Sequence, residues 1–197
     1  MIHPLQEQIE SLHARVFRGL MLDADLSARE ILGDPPGSRS GTNEPFLGKY
    51  DEFFSRDLRD RAAKMTYVYG LFYCFENVVR ELVSQRLLER QGTKWWSSVP
   101  ERVRKRVDQK RQDSDKNKWH EATVTANIDS TLFGDLANIV VASWQEFEDL
   151  FPSQTWVKQR LDELERSRNV IAHGNLLSDS EIERIEQYLD DWLRQVP

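Results

Sequence analysis

One helical tract limits the fold of this chain more than any other feature. It runs from about residue 49 to residue 90, and its centre, MTYVYGLFYCFENVVRELV (65–83), is apolar almost all the way round. A helix with so little polar surface belongs in the middle of a bundle or at a subunit interface. The pattern also predicts an interruption of this tract near Ala62. The chain therefore needs further helices that pack around this one.

Helices are predicted on both sides of this tract. Apolar residues at spacings of three and four mark an amphipathic helix over residues 4–32, and the turn-rich run GDPPGSRSGTNEP (33–45) ends it and forms a linker. A basic helix opens at Pro100 and reaches about Arg111, because proline is favoured at the first position of a helix. The N-terminal helix carries its apolar face on Leu5, Ile9, Leu12, Val16 and Leu20.

The second half of the chain contains clear helix boundaries. Asp135 can cap a helix that extends through Phe147. Ser153 begins another helix that ends at His173, and Gly174 stands at the position where a glycine usually closes a helix. These signals predict two consecutive helices before the last one.

The last helix begins with the capping box Ser178-x-x-Glu181. No stretch alternates polar and apolar residues as a strand does. The predicted fold class is all-α, a bundle of four to five core helices with an additional N-terminal helix. We expect residues 1–45 to form that N-terminal helix and linker, and residues 46–197 to form the helical domain.

Composition and cysteine content indicate the environment of the protein. The chain has 197 residues, of which 39% are hydrophobic and 30% charged, as is typical of a soluble globular protein. No apolar run approaches the roughly 18 residues of a membrane span, and the first residues lack the order of a signal peptide. We therefore expect a cytoplasmic protein without a membrane segment. The single cysteine, Cys74, excludes an intramolecular disulfide.

Charge is distributed unevenly along the chain. The net charge of −6 argues against indiscriminate binding to nucleic acid. Residues 101–118, however, contain eight basic and four acidic residues. This run is either a solvated helix or a surface that faces a polyanion. Under the second interpretation its candidate RNA contacts are Arg102, Arg104, Lys105 and Arg106.

The run RSRNVIAHGN (166–175) places three polar side chains at the end of a predicted helix. Asn169 and His173 are four residues apart and share a face, whereas Arg168 lies about 140° round from His173. Arg168 and His173 could simply complement the negative end of the helix and bond its terminal carbonyls. The alternative is that they form a functional site. The spacing alone favours the first interpretation.

Four segments of the sequence together resemble a known superfamily. Arg168-Asn169-x-x-x-His173 is similar to the signature of HEPN domains (higher eukaryotes and prokaryotes nucleotide-binding). FENVVREL (75–82), the tryptophans at 95 and 96 with the following VPERVR, and FGDLANIVVASWQEF (133–147) resemble the HEPN branch attached to a nuclear transcript-quality-control endoribonuclease. The resemblance covers roughly residues 60–195 and implies a HEPN-like helical bundle.

The resemblance also implies an activity. It suggests a metal-independent endoribonuclease that cleaves single-stranded RNA at a composite site in a homodimer. Arg168 and His173 would be the catalytic residues, and Asn169 would orient His173 or the phosphate. We expect no cofactor and no metal, because the other histidines, His3, His13 and His120, lack the spacing of a metal site.

A second functional class stays open at this point. The chain could be a non-catalytic HEPN module that dimerises and binds RNA, nucleotide or a protein partner. As an enzyme it could act as a toxin or defence effector restrained by an antitoxin or another inhibitory protein. An intact Arg-Asn-x-x-x-His motif favours the enzyme.

Glu76 is a candidate supporting residue. A carboxylate in an otherwise apolar helix is unfavourable unless it is paired. The resemblance suggests Arg168 as its partner, whereas Arg80, four residues further along the same helix, is the local alternative.

Overall fold

A computed structural model describes residues 47–116 and 126–196 of the chain. These residues contain five α-helices, several short 3₁₀ helices and no β-strand. The α-helices are α1 (Arg56–Gln91), α2 (Glu101–Lys116), α3 (Phe133–Ala142), α4 (Gln154–Ala172) and α5 (Asp179–Gln195). The predicted all-α class is confirmed. The predicted helix over residues 4–32 lies outside the described residues.

The described residues divide into two compact units. The first contains residues 47–74 and 167–190, and the second contains residues 75–116, 126–166 and 191–196. Arg168, Asn169 and His173 therefore belong to the first unit. Glu76 and the basic run of α2 belong to the second.

Helix α1 begins later than predicted and has no interruption near Ala62. The chain instead breaks between the 3₁₀ helix Gly48–Phe53 and Arg56, where the Ser55 hydroxyl accepts a hydrogen bond from the Leu58 amide (3.3 Å). The prediction of a break at Ala62 was wrong because alanine favours a helix interior, whereas serine favours the N-terminal cap.

The first unit packs part of α1 against part of α5. Its buried hydrophobic side chains are Met65, Val68, Phe72, Leu177, Ile182, Ile185 and Leu189. The Tyr67 hydroxyl donates to Glu186 Oε1 (3.1 Å), and Lys64 forms an ion pair with Asp179. Tyr73, about 100° round α1 from the buried Phe72, is 63% exposed.

The second unit is built around a cluster of aromatic rings. Trp192 is fully buried, with its ring centroid 5.3 Å from Phe75, 4.8 Å from Phe151 and 5.6 Å from Trp156. Such edge and stacked contacts add stability beyond the burial of the rings themselves. This cluster brings the C-terminal end of α5 into the core of the second unit.

Helix α3 begins two residues before the predicted cap. Asp135 lies inside the first turn, where its Oδ2 accepts a hydrogen bond from the Leu132 amide (3.1 Å). Glu165 of α4 accepts a second one from the amide of Gly134. Asp135 is therefore the acidic residue of a capping arrangement and not the cap itself. The helix ends at Ala142, and only a 3₁₀ helix, Trp144–Glu146, continues toward Phe147.

Helix α2 extends five residues beyond the predicted end at Arg111. No glycine or proline follows Arg111, and Gln109 Nε2 donates to Asp113 Oδ1 (3.0 Å) four residues later. Val103 and Val107 bury one side of the helix. Within the described ranges, no helix combines the length and apolar character that crossing a bilayer requires.

Candidate functional site

The candidate motif lies at the C-terminal end of α4, where the main chain closes the helix. Gly174 adopts φ +74°, a conformation that glycine reaches without steric cost. The Gly174 amide donates to the Ile171 carbonyl (2.9 Å), and the Asn175 amide donates to the Val170 carbonyl (3.1 Å). This pair of bonds is a Schellman motif, as the predicted role of Gly174 requires.

Main-chain bonds therefore occupy two of the carbonyls that side chains could otherwise bond. The Asn169 carbonyl also has a main-chain partner, the His173 amide (3.1 Å). Among the described residues, neither Arg168 nor His173 donates a side-chain hydrogen bond to a terminal carbonyl. Capping of the carbonyls thus does not explain why these two residue types stand here.

The structure brings Arg168 and Asn169 together. Arg168 Nη1 donates to Asn169 Oδ1 (3.1 Å), and both side chains are half-buried. No acidic side chain among the described residues of the same unit pairs with Arg168. Its guanidinium keeps further N–H donors for an anion, because Asn169 occupies only one of its five.

His173 directly follows the last residue of α4, Ala172, one residue beyond the helix end that the structure shows, and it is exposed. Its imidazole forms no hydrogen bond or ion pair with a described residue. The structure therefore does not join the His173 imidazole to Arg168 or Asn169 by a hydrogen bond. It leaves the imidazole open to a ligand that approaches this helix end from solvent.

Glu76 forms a salt bridge with Arg80, the local alternative of the two predicted partners. Arg80 Nη2 lies 2.6 Å from Glu76 Oε1 and also donates to the Thr131 carbonyl (2.6 Å). Glu76 is 6% exposed, so the pair is buried and couples α1 to the segment before α3. Pairing of Glu76 with Arg168 stays a prediction.

The predicted RNA contacts of α2 differ in how far their charges are engaged. Arg106 forms an ion pair with Asp135, which is buried, and Lys105 Nζ lies 2.8 Å from Glu101 Oε1. Arg104 Nε donates to the Val99 carbonyl (3.0 Å). Arg102 is exposed and has no ion pair with a described residue. Arg102 is thus the most available of the four cations.

A concave groove in the second unit was not predicted from the sequence. It has a volume of about 470 Å³ and lies between α1, the 3₁₀ helix Trp95–Ser98 and the segment before α3. Trp95 and Trp96 contribute to its wall with their rings perpendicular (centroids 5.4 Å apart), as do Leu88 and Ile128. The adjacent tryptophans were the available signal, but a pair of tryptophans commonly covers a core.

Residues 47–116 and 126–196 contain no group of three or more His, Cys, Asp or Glu side chains placed to hold a metal ion. The Arg168–His173 end of α4 instead offers a fixed cation, an amide and an imidazole. These groups suit the binding of a phosphate and the transfer of a proton.

Comparison with protein families identifies the chain. The model of the Swt1-like HEPN family matches residues 71–197. The chain belongs to the Swt1-like HEPN family. The match includes the Arg168–His173 motif of this HEPN domain, as well as Glu76 and the basic run of α2. It confirms the predicted HEPN resemblance. No curated protein and no solved structure gives a significant match.

Proposed function

We propose that this HEPN protein is a metal-independent endoribonuclease that cleaves single-stranded RNA with Arg168, Asn169 and His173. One observation carries the proposal. The end of α4 is closed by main-chain hydrogen bonds. Neither the Arg168 guanidinium nor the exposed His173 imidazole donates a hydrogen bond to a terminal carbonyl of a described residue. Membership of the Swt1-like HEPN family adds support, since many HEPN domains are RNases.

The three side chains match the requirements of RNA cleavage by the substrate's own 2′-hydroxyl. That oxygen attacks the adjacent phosphorus while a base takes its proton, and an acid protonates the departing 5′-oxygen. Histidine titrates near neutral pH and can serve in either role. Arg168 would stabilise the charge that accumulates on the phosphorane, and its bond to Asn169 Oδ1 would hold the guanidinium in place.

A complete site needs a second copy of the chain. The reaction uses both an acid and a base, whereas each motif contains one imidazole. A two-fold symmetric dimer that apposes two α4 ends would provide two histidines and two arginines in one cleft. Leu176, three residues after His173, is exposed and offers an apolar contact beside the motif.

The RNA substrate would be attracted by the basic side chains of α2. Arg102 is the best candidate for a phosphate contact, with Arg104, Lys105 and Arg106 as weaker ones because each already has a partner in the chain. Single-stranded RNA suits an exposed helix end, because the flexible strand can bring its 2′-hydroxyl into line with the scissile bond. A role as toxin or defence effector, restrained by an antitoxin or another inhibitory protein, would follow from unrestricted cleavage.

Cleavage of end-labelled single-stranded RNA in EDTA tests the proposal. Wild-type protein is expected to cleave under these conditions, and His173→Ala is expected to cleave roughly 10²-fold or more slowly. Arg168→Ala should lose activity to a similar extent. The matched control is Arg166→Ala, which removes an exposed arginine from the same helix and should cleave as wild type does.

The alternative function predicts a different result. A non-catalytic HEPN module would leave a broad panel of single-stranded RNAs intact at every concentration tested. It would instead bind RNA, nucleotide or a protein partner, and the Arg168 and His173 variants would weaken that binding. Equal activity of Arg168→Ala and Arg166→Ala would also contradict the proposed site.

A further inference from the structure

The groove between α1 and the short 3₁₀ helix that follows it is large enough for a ligand and presents apolar side chains. Its volume of about 470 Å³ falls within the range of roughly 300 to 1,000 Å³ that ligand sites occupy. Trp95 and Trp96 are only half-buried, and Leu88 is 47% exposed. The lining residues belong to the second unit, whereas Arg168 and His173 belong to the first. The proposed RNA site therefore gives no reason for this groove.

Local hydrogen bonds fix the main chain that carries the two tryptophans. Gly92, directly after α1, adopts φ +74°, and its carbonyl accepts a hydrogen bond from the Trp95 amide (3.1 Å). The Ser98 hydroxyl lies 2.7 Å from the side-chain oxygen of Gln91 and 2.7 Å from the Trp95 carbonyl. The two rings thus stand on a preformed support, which reduces the entropy lost when a ligand binds.

The two indoles carry hydrogen-bond donors that the described part of the chain leaves unused. No described residue accepts a hydrogen bond from Trp95 Nε1 or Trp96 Nε1, and neither nitrogen is buried. An indole N–H can only donate, so a ligand has to present an acceptor such as a peptide carbonyl. Grooves lined by aromatic rings bind proline-containing segments, because a polyproline II helix has no internal hydrogen bonds and leaves its carbonyls exposed.

The charges of the groove disfavour RNA and favour a cation. Arg80 is the only basic residue among the described ones that line it, and Glu76 and the Thr131 carbonyl already engage its guanidinium. Glu81 also lines the groove and is exposed. It has no ion pair with a described residue and accepts one hydrogen bond, from Gln85 Nε2 (2.9 Å). The described lining thus offers a carboxylate to a basic side chain but no available cation to a phosphate.

We propose that this groove binds an extended, proline-containing segment of a partner protein that carries a basic residue at one end. Leu88 and the rings of Trp95 and Trp96 would contact the prolines, and the indole N–H groups would donate to carbonyls of the segment. Glu81 would pair with its arginine or lysine. Proline restricts such a segment to the bound conformation beforehand, so little entropy is lost on binding. Binding of this kind does not require RNA cleavage.

Fluorescence anisotropy with labelled decapeptides tests the site on the full chain. The peptides consist of proline and leucine and end in either arginine or glutamate. Arginine-ended members are expected to bind the wild-type chain. Trp96→Ala should weaken that binding tenfold or more, and Leu88→Gln should weaken it severalfold, because each removes apolar contact area. Glu148→Lys changes the charge at an exposed position of the same unit outside the groove and should bind as wild type does.

Charge reversal at Glu81 makes the result independent of folding defects. Glu81→Lys should weaken binding of the arginine-ended peptides and strengthen that of the glutamate-ended ones by about two- to fivefold, the effect of one exposed ion pair. A damaged fold cannot exchange the two preferences. The proposal is overturned if no arginine-ended peptide binds wild type at about 1 mM, or if Glu81→Lys keeps the wild-type preference. Labelled single-stranded RNA that binds more weakly to Trp96→Ala and Leu88→Gln, but not to Glu148→Lys, would assign the groove to RNA and would likewise overturn it.

Discussion

At the scale of single residues, the pair of Glu76 and Arg80 is one place where the second unit tolerates buried charge. The carboxylate is almost fully buried, and the guanidinium also bonds the Thr131 carbonyl and Asn77 Oδ1 (3.0 Å). The guanidinium thus bonds Glu76, Thr131 and Asn77, which offsets part of the loss of water that burial imposes. The pair therefore serves the fold, whether or not Glu76 also supports the motif.

Loss of either member is expected to destabilise the protein. Glu76→Ala leaves the Arg80 guanidinium without its carboxylate, and we expect the free energy of unfolding to fall by about 3 kcal/mol. Arg80→Ala should have a similar effect, and the double variant should cost less than the sum of the two. Urea unfolding measures all three. Glu81→Ala, which removes an exposed acid of the same helix, should change stability by less than about 0.5 kcal/mol.

At the scale of secondary-structure elements, helix α5 begins with the predicted capping box. The Ser178 amide donates to Glu181 Oε2 (3.1 Å), and the Glu181 amide donates to the Ser178 hydroxyl (3.3 Å). The hydrogen bond from the Ser178 amide, followed by that from its hydroxyl, lowers the pKa of Glu181 below its ordinary value of 4.5. The same exposed carboxylate, that of Glu181, therefore caps the start of α5 and has its pKa lowered by that capping.

Acid should weaken this helix start in a defined pH range. Because the pKa of Glu181 is lower in the folded protein, its contribution to stability is complete above about pH 4.5 and is lost as the pH falls through the folded value. Glu181→Gln should lower the melting temperature at pH 7. The difference between wild type and variant should narrow as the pH drops below 4.5. A difference that is constant between pH 7 and pH 3 would contradict the role of the carboxylate.

Local signals in the sequence predicted the helix ends that local bonds determine. Ser178, Glu181 and Gly174 are examples, because their partners lie within five residues. Asp135 was misplaced by one turn because a cap and the acidic residue three positions later share the same chemistry. The Arg168–Asn169 bond could not be predicted, since neighbouring residues point about 100° apart on a helix and only the long arginine side chain closes that gap.

At the scale of the whole molecule, ion pairs between residues far apart in the chain could not be predicted from the sequence. Arg106 belongs to a basic run, but its partner Asp135 is 29 residues away and buried. A count of charges along the chain cannot distinguish such an arginine from an available one. The structure makes this distinction and leaves Arg102 as the most available of the four predicted RNA contacts.

Salt dependence of RNA binding should separate these two arginines. If Arg102 contacts a phosphate, Arg102→Gln should reduce the slope of log affinity against log salt by about 0.7, the expected value for one contact with a single strand. Arg106→Gln should change the slope little and should instead lower stability, because Asp135 loses its cation. Identical slopes for wild type and Arg102→Gln would contradict a phosphate contact and would favour the interpretation of the basic run as a solvated helix.

The assembly of two copies is expected to depend on Leu176. Light scattering at micromolar concentration should report a dimer for the wild-type chain. Leu176→Asp should shift the protein toward the monomer and reduce RNA cleavage in parallel, because each half-site then lacks its second imidazole. Ser180→Asp adds the same charge to the same unit at another exposed position and should remain dimeric. A monomer with full activity would exclude a composite site.

The way in which α4 ends also bears on how the family can change over evolutionary time. The Asn169, Val170 and Ile171 carbonyls accept from main-chain amides, so replacing the side chain at position 173 by any residue except proline should leave the helix end intact. A lineage can therefore lose the proposed chemistry in one step and still inherit a folded protein. Relatives in which the histidine has been replaced should accordingly be stable scaffolds, open to selection for binding alone.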